Sequence, residues 1–122
     1  MKPVPPNKIR SAVEQKKAVL LDVRTPAEFQ EVHAQGAINV PLNMVDALRE
    51  DLSEIKKPVF VICKSGARSQ MACKKLSAFD NFHAVTGGTL AWMQEGLPTV
   101  QGKKVWGLER QVRLVAGSLV LT

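Results

Sequence analysis

The chain is 122 residues long and contains no tyrosine, two cysteines and two histidines. These shortages exclude whole classes of function. Without tyrosine, and with no basic cluster interleaved with aromatic residues, there is little on which nucleic-acid bases could stack. Nucleic acid is therefore not an expected partner. Cys63 and Cys73 do not form a C-x-x-C pair, which argues against a zinc site or a disulfide scaffold and for a reducing compartment. Cys73 lies ten residues after Cys63, on a segment that reads as helix, too far for a bridge when a helix advances about 1.5 Å per residue. His33 has no partner at metal-ligand spacing, so it reads as a polar surface or loop-packing residue, and no metal or organic cofactor is expected. The segment Met1-Lys2-Pro3-Val4-Pro5-Pro6 lacks the apolar core of a signal peptide, so the part that carries chemistry is expected in the cytoplasm. There is no internal repeat.

What the chain does have is a formal charge of +6, which favours an anionic ligand or an anionic surface. Its length suits one domain with an ordinary core. The organising stretch is Val59-Phe60-Val61-Ile62-Cys63-Lys64-Ser65-Gly66-Ala67-Arg68-Ser69. Its first four residues read as a buried strand. Met71, Ala72, Leu76 and Phe79 then recur at helical spacing, so a helix begins near Ala67. Cys63 is thus expected at the carboxyl end of a strand, facing a helix amino terminus, where open α/β sheets place their ligand sites. A thiol there, beside Lys64 and Arg68, should have a lowered pKa. Cys73 reads as core filler.

The rest of the chain alternates between strand and helix signals. After an extended proline-rich lead-in, Asn7 is expected to cap a helix running to about Lys16, with Ile9 and Val13 facing inward. Ala18 to Val23 reads as a buried strand carrying Asp22, a carboxylate that needs a partner in a dry core, and Arg24 follows it. Thr25-Pro26-Ala27-Glu28 predicts a helix start with a capping box, ending near His33. Ala37 to Val40 reads as a short strand. Asn43 is expected to cap a helix bearing Val45, Leu48 and Leu52. Phe82 to Val85 reads as another strand, and Gly87-Gly88 opens a helix with Leu90, Ala91 and Trp92 that stops at Gly96. Trp92 reads as core. The alternation predicts an α/β fold with a mainly parallel central sheet and helices on both faces.

Residues 101–122 form a distinct tail. Lys103, Lys104, Arg110 and Arg113 flank Trp106, and Leu114 to Leu121 is an apolar run too short for the about 20 residues of a bilayer span. Two readings stay open here. One is a docked terminal helix with Leu108, Val112, Val115 and Leu119 on one stripe; the other is the start of a membrane segment at its cytoplasmic edge.

Three groups of residues together resemble the rhodanese family over about residues 5–100. Leu20-Leu21-Asp22-Val23-Arg24, Pro26-Ala27-Glu28-Phe29 and Gly36-Ala37-Ile38-Asn39-Val40-Pro41 are similar to its first half. Cys63 to Ser69 resembles its active-site loop, and Gly87-Gly88 with Ala91-Trp92 and Gly96-Leu97-Pro98 resembles its closing helix. The tail resembles the entry to the transmembrane hairpin of bacterial membrane-anchored rhodaneses. One departure is Val32-His33-Ala34-Gln35, where the family usually reads Gly-His-Ile-Pro.

The resemblance implies a rhodanese-like fold and a sulfurtransferase. Cys63 would be the sulfur-carrying nucleophile. The backbone of Lys64, Ser65, Gly66, Ala67 and Arg68 would cradle the persulfide, with Asp22 and Arg24 in support. The implied partners are a small anionic sulfur donor such as thiosulfate and a thiol acceptor. Membrane contact would come through the tail, at the cytoplasmic face of the inner membrane. Two alternatives compete. A persulfide carrier or sensor at a membrane would have the same cysteine but little small-molecule turnover. A cysteine phosphatase or arsenate reductase would also place a thiolate in a loop ending in arginine. Its loop characteristically holds one more residue than the four between Cys63 and Arg68, and a shorter ring of N–H groups fits one sulfur better than a tetrahedral oxyanion.

Overall fold

The computed structural model describes residues 3–102, so both readings of the tail from Lys103 onward fall outside the described residues. Four parallel strands make the central sheet: β1 (Val19–Asp22), β3 (Ala37–Asn39), β4 (Val59–Ile62) and β5 (Phe82–Ala84), in the order β3-β1-β4-β5. β1 and β4 are in register, with Leu21 opposite Val61 and Asp22 opposite Ile62.

Because side chains alternate along a strand, each central strand supplies both faces. Leu21, Val59 and Val61 point to one side, where they meet Leu52 of helix α3 (Arg49–Ser53) and Ala72, Cys73 and Leu76 around helix α4 (Ala67–Lys75). Leu20 and Ile62 point to the other, where they meet Ile9, Val13 of helix α1 (Arg10–Glu14) and Trp92 of helix α5 (Gly88–Gln94). Helices therefore cover both faces, and the near-continuous apolar runs of β1 and β4 follow from that double burial. Trp92 is core, as expected, and its indole N–H donates to the Pro98 carbonyl at 2.7 Å.

Local signals explain several elements. Helix α2 (Pro26–Glu31) starts with a complete capping box: the Glu28 N–H donates to Thr25 Oγ1 at 3.2 Å, and the Thr25 N–H donates to Glu28 Oε1 at 3.0 Å. Proline-flanked Val4 lies parallel beside the β5 edge. Its N–H donates to Ala84 O and its carbonyl accepts from the Thr86 N–H, both at 2.8 Å.

Two expected caps are corrected. The first helix breaks into a 3-10 turn at Pro6–Lys8, which includes Asn7, and then α1; Pro5 holds the cap position of the turn and Ile9 that of α1, neither with a side-chain cap bond. Asn43 lies inside a 3-10 turn, Leu42–Met44, and α3 begins only after Leu48, again without a side-chain cap bond. In both cases the chain tightens just after a proline, which fixes φ and sets the turn before any Asn side chain can act. The segment that departs from the family spelling makes a short strand instead. β2 (His33–Ala34) pairs antiparallel with β6 (Thr99–Val100), which ties the end of α2 to the far end of the domain.

Candidate active site

All four strands of the central sheet run the same way, so their carboxyl ends share one edge. Cys63 stands there, directly after β4, with 1% of its surface exposed. Gly66 adopts φ +125°, a conformation that L side chains rarely take, and this folds its N–H back onto Cys63 Sγ at 3.0 Å. Ser69, fully buried on the first turn of α4, lies with its Oγ 3.6 Å from Sγ and 3.0 Å from Gly66 O, so its one O–H can turn to the carbonyl or to an ionised sulfur.

Burial by itself would raise the Cys63 pKa. The hydroxyl of Ser69 and the N–H groups of Ser69, Gly66 and Ser65 outweigh it, and the thiol is held below its ordinary 9.0. Hydrogen bonds from the Ser69 hydroxyl and the loop N–H groups are thus the leading influence favouring the thiolate. Cys73 makes the contrast. It is also buried, but desolvation pushes its thiol up to about 11. It lines a groove of about 360 Å³ with Pro3, Gln70, Lys74, Ser77 and Ala84, and Cys63 is not part of that lining.

The loop is anchored from behind by α5. The Thr89 N–H and Thr89 Oγ1 both donate to the Cys63 carbonyl, at 2.7 and 3.0 Å, and the Leu90 N–H donates to the Lys64 carbonyl at 3.1 Å. This approach requires a glycine. A Cβ on Gly88 would lie 2.5 Å from both carbonyl oxygens.

Asp22 and Arg24 form a buried pair at the end of β1. Arg24 Nε and Nη2 donate to the Asp22 carboxylate at 3.0 and 2.9 Å, and the Arg24 N–H donates to it at 3.0 Å. Arg24 Nη2 also donates to the Val32 carbonyl, and Asn39 Nδ2 donates to the carbonyls of Asp22 and Arg24. The pair thus joins β1, β3 and the exit of α2. It touches none of the atoms around Sγ named above.

The residues of the expected cradle differ in placement. Gly66 is buried beside Sγ, while Lys64, Ser65 and Ala67 are exposed. Arg68 turns to Glu28, with Nη1 to Oε1 at 2.7 Å and Nη2 to Oε2 at 3.1 Å. Among the described residues no carboxylate pairs with Lys64. His33 stacks on Phe29 with centroids 3.7 Å apart, and its Nδ1 is 2.7 Å from the Phe29 carbonyl, a packing role in line with its sequence reading. Three participants were not singled out from sequence: Ser69, Thr89, and Glu28 as the partner of Arg68. Ser69 carried a usable signal, since it lies one helical turn from the loop glycine.

Comparison with known proteins agrees with this arrangement. The rhodanese-like domain family matches residues 5–95. An uncharacterised protein of Synechocystis is 36% identical over 122 residues, covering 98% of this chain and 68% of its own. The thiosulfate sulfurtransferase GlpE of Vibrio cholerae is 35% identical over 94 residues, covering 75% of this chain and 88% of its own. Among solved structures, a rhodanese-related protein from Thermoplasma volcanium superposes with a TM-score of 0.74 at 31% identity, covering 82% of this chain and 98% of that one. With the parallel sheet, the cysteine at the end of its central strand and the folded-back loop, these matches show that the chain belongs to the rhodanese-like domain family.

Proposed function

We propose that the protein is a sulfurtransferase that moves a sulfane sulfur from thiosulfate, or a donor of the same chemistry, to a thiol acceptor through a persulfide on Cys63. The observation that carries this reading is the Cys63 sulfur itself, held 3.0 Å from the Gly66 N–H with its pKa lowered by loop N–H groups and the Ser69 hydroxyl. A cradle built around one sulfur suits a nucleophile that must also carry a second sulfur as an anion.

In the first step the thiolate attacks the outer sulfur of thiosulfate. A new S–S bond forms, the S–S bond of the donor breaks, and its electron pair leaves with sulfite. Cys63 now carries a persulfide anion, which the Ser65, Gly66 and Ser69 N–H groups can hold as they hold the thiolate. In the second step a thiolate, or cyanide in an assay, attacks the outer sulfur and the Cys63 thiolate departs. One hard transfer becomes two easier ones, and steady-state kinetics should be ping-pong. Parallel double-reciprocal lines for donor against acceptor are the expected result, and intersecting lines would contradict the mechanism.

Lys64 would supply attraction for the dianionic donor. Arg68, engaged by Glu28, would hold the loop. Asp22 and Arg24 would hold the end of β1 and the exit of α2, and so the frame in which the loop sits. The names of the matched relatives, thiosulfate sulfurtransferase and sulfurtransferase, favour the same chemistry.

A membrane-tethered form of the same function rests on the tail, where four cations flank Trp106 before the apolar run from Leu114 to Leu121. Similarity to the Synechocystis protein extends through this tail, since it covers 98% of the chain. Among the described residues no helix is long and apolar enough to cross a membrane. Co-flotation of the full chain with anionic vesicles tests the tether, and a chain left at the bottom of the gradient would remove it.

A further inference from the structure

We infer that Thr89 is a positioning residue for the Cys63 nucleophile, acting through the Cys63 carbonyl. The inference rests on the role of Cys63 proposed above, although its test needs no sulfur donor. Thr89 is 2% exposed, and its hydroxyl and N–H both donate to one acceptor, Cys63 O, at 3.0 and 2.7 Å. One residue on, the Leu90 N–H takes the Lys64 carbonyl at 3.1 Å. Two consecutive peptide units of the loop are thus fixed by their carbonyl oxygens.

In a trans peptide the N–H points opposite to the C=O, and no cis bond occurs among the described residues. A Lys64 carbonyl turned to α5 therefore turns the Ser65 N–H away from α5, toward the sulfur side of the loop. That N–H is one of the groups that favour the Cys63 thiolate. The Cys63 carbonyl is the hinge of the arrangement, because its orientation sets where the Lys64 peptide begins. It is also the oxygen whose negative end lies on the same residue as the thiolate. Two donors aimed at it offset part of that negative charge and hold the peptide plane in a buried, low-dielectric setting, where such bonds count most.

A merely structural hydroxyl at this depth would be satisfied by any nearby acceptor. Thr89 instead doubles a bond that its own backbone already makes. A side chain that only filled space could as well be valine.

The test is the pH titration of the thiolate ultraviolet absorbance in Thr89→Val, Thr89→Ser and the parent protein, each read as the difference from its own Cys63→Ser partner. Thr89→Val is expected to move the Cys63 midpoint upward by about half to one pH unit, the scale of one lost hydrogen bond. Thr89→Ser should restore it. At a pH below the midpoint, persulfide formation should slow about three- to tenfold in Thr89→Val and recover at high pH. Should Thr89→Val not fold, Thr89→Ala against Thr89→Ser carries the same comparison. An unchanged midpoint in the folded Val or Ala variant would overturn the inference, whatever its melting temperature. A protein that titrates as expected but never takes sulfur would instead overturn the reading of the function.

Discussion

Arg68 and Glu28 face each other as a fork on a fork, Nη1 to Oε1 at 2.7 Å and Nη2 to Oε2 at 3.1 Å. The carboxylate also serves the Thr25 cap, so the pair ties the first turn of α4 to the first turn of α2. The bond to Arg68, ahead of a smaller opposing effect of burial and with help from Thr25, brings the Glu28 carboxyl down to about 2. Arg68 is correspondingly raised, chiefly by Glu28, with the Cys63 sulfur a lesser contributor.

Replacing Glu28 by Gln should therefore lower stability, by at most about 1 kcal/mol because the pair is partly solvated. The pH dependence has a definite sign. Glu28 is depressed from 4.5 to about 2, so its contribution is present in full above 4.5 and is lost as pH falls toward 2. Chemical denaturation between those limits should show a shallower loss of stability in Glu28→Gln than in the parent protein. Equal slopes would show that the pair is not formed.

The two loop cations should behave differently. Lys64→Gln is expected to raise KM for thiosulfate several-fold with little change in kcat, and added salt should shrink the difference by screening. Arg68→Lys, which loses the bidentate geometry, should lower the melting temperature and kcat together. Steady-state kinetics at two ionic strengths separate them. A larger KM effect at Arg68 than at Lys64 would contradict the assignment.

Ser69→Ala removes a hydroxyl that favours the thiolate. Persulfide formation should follow the ionised fraction of Cys63, whose inflection in the parent protein lies below the ordinary thiol value of 9.0. In Ser69→Ala the inflection should rise by about one unit, which near neutral pH is about tenfold in rate. A pH–rate profile of single-turnover sulfur loading reads this. The same substitution at Cys73, whose surroundings only desolvate it, should leave the profile in place.

Arg24→Met would strand a carboxylate that has no exposed surface. Removing one partner of such a pair costs about 3–5 kcal/mol. Asp22→Asn with Arg24→Met should recover part of that loss in thermal melts. A neutral single substitution would show that the pair does not hold the end of β1.

What was legible in the sequence was local. β4 and its cysteine announce themselves because a doubly buried strand must be apolar and a loop of small residues must follow it. The capping box of Thr25 and Glu28 lies within four residues. The missed features are set by distance or by tertiary override. Glu28 and Arg68 are 40 positions apart, and either side chain alone reads as a solvated charge. β2 and β6 are two residues each, too short for any period, and exist only because they find each other. Asn7 and Asn43 are good cap residues that lost to the prolines before them. Thr89 carries no signal of its role, because nothing in its spacing says that the carbonyl of Cys63 lies against it.

The most direct measurement is the intact mass of the protein after incubation with thiosulfate, for the parent chain and Cys63→Ser, before and after cyanide. The expected result is one added sulfur atom on the parent chain only, discharged by cyanide as thiocyanate. No added sulfur on reduced, folded protein would contradict thiosulfate as the donor, and sulfur added equally to Cys63→Ser would contradict Cys63 as the carrier.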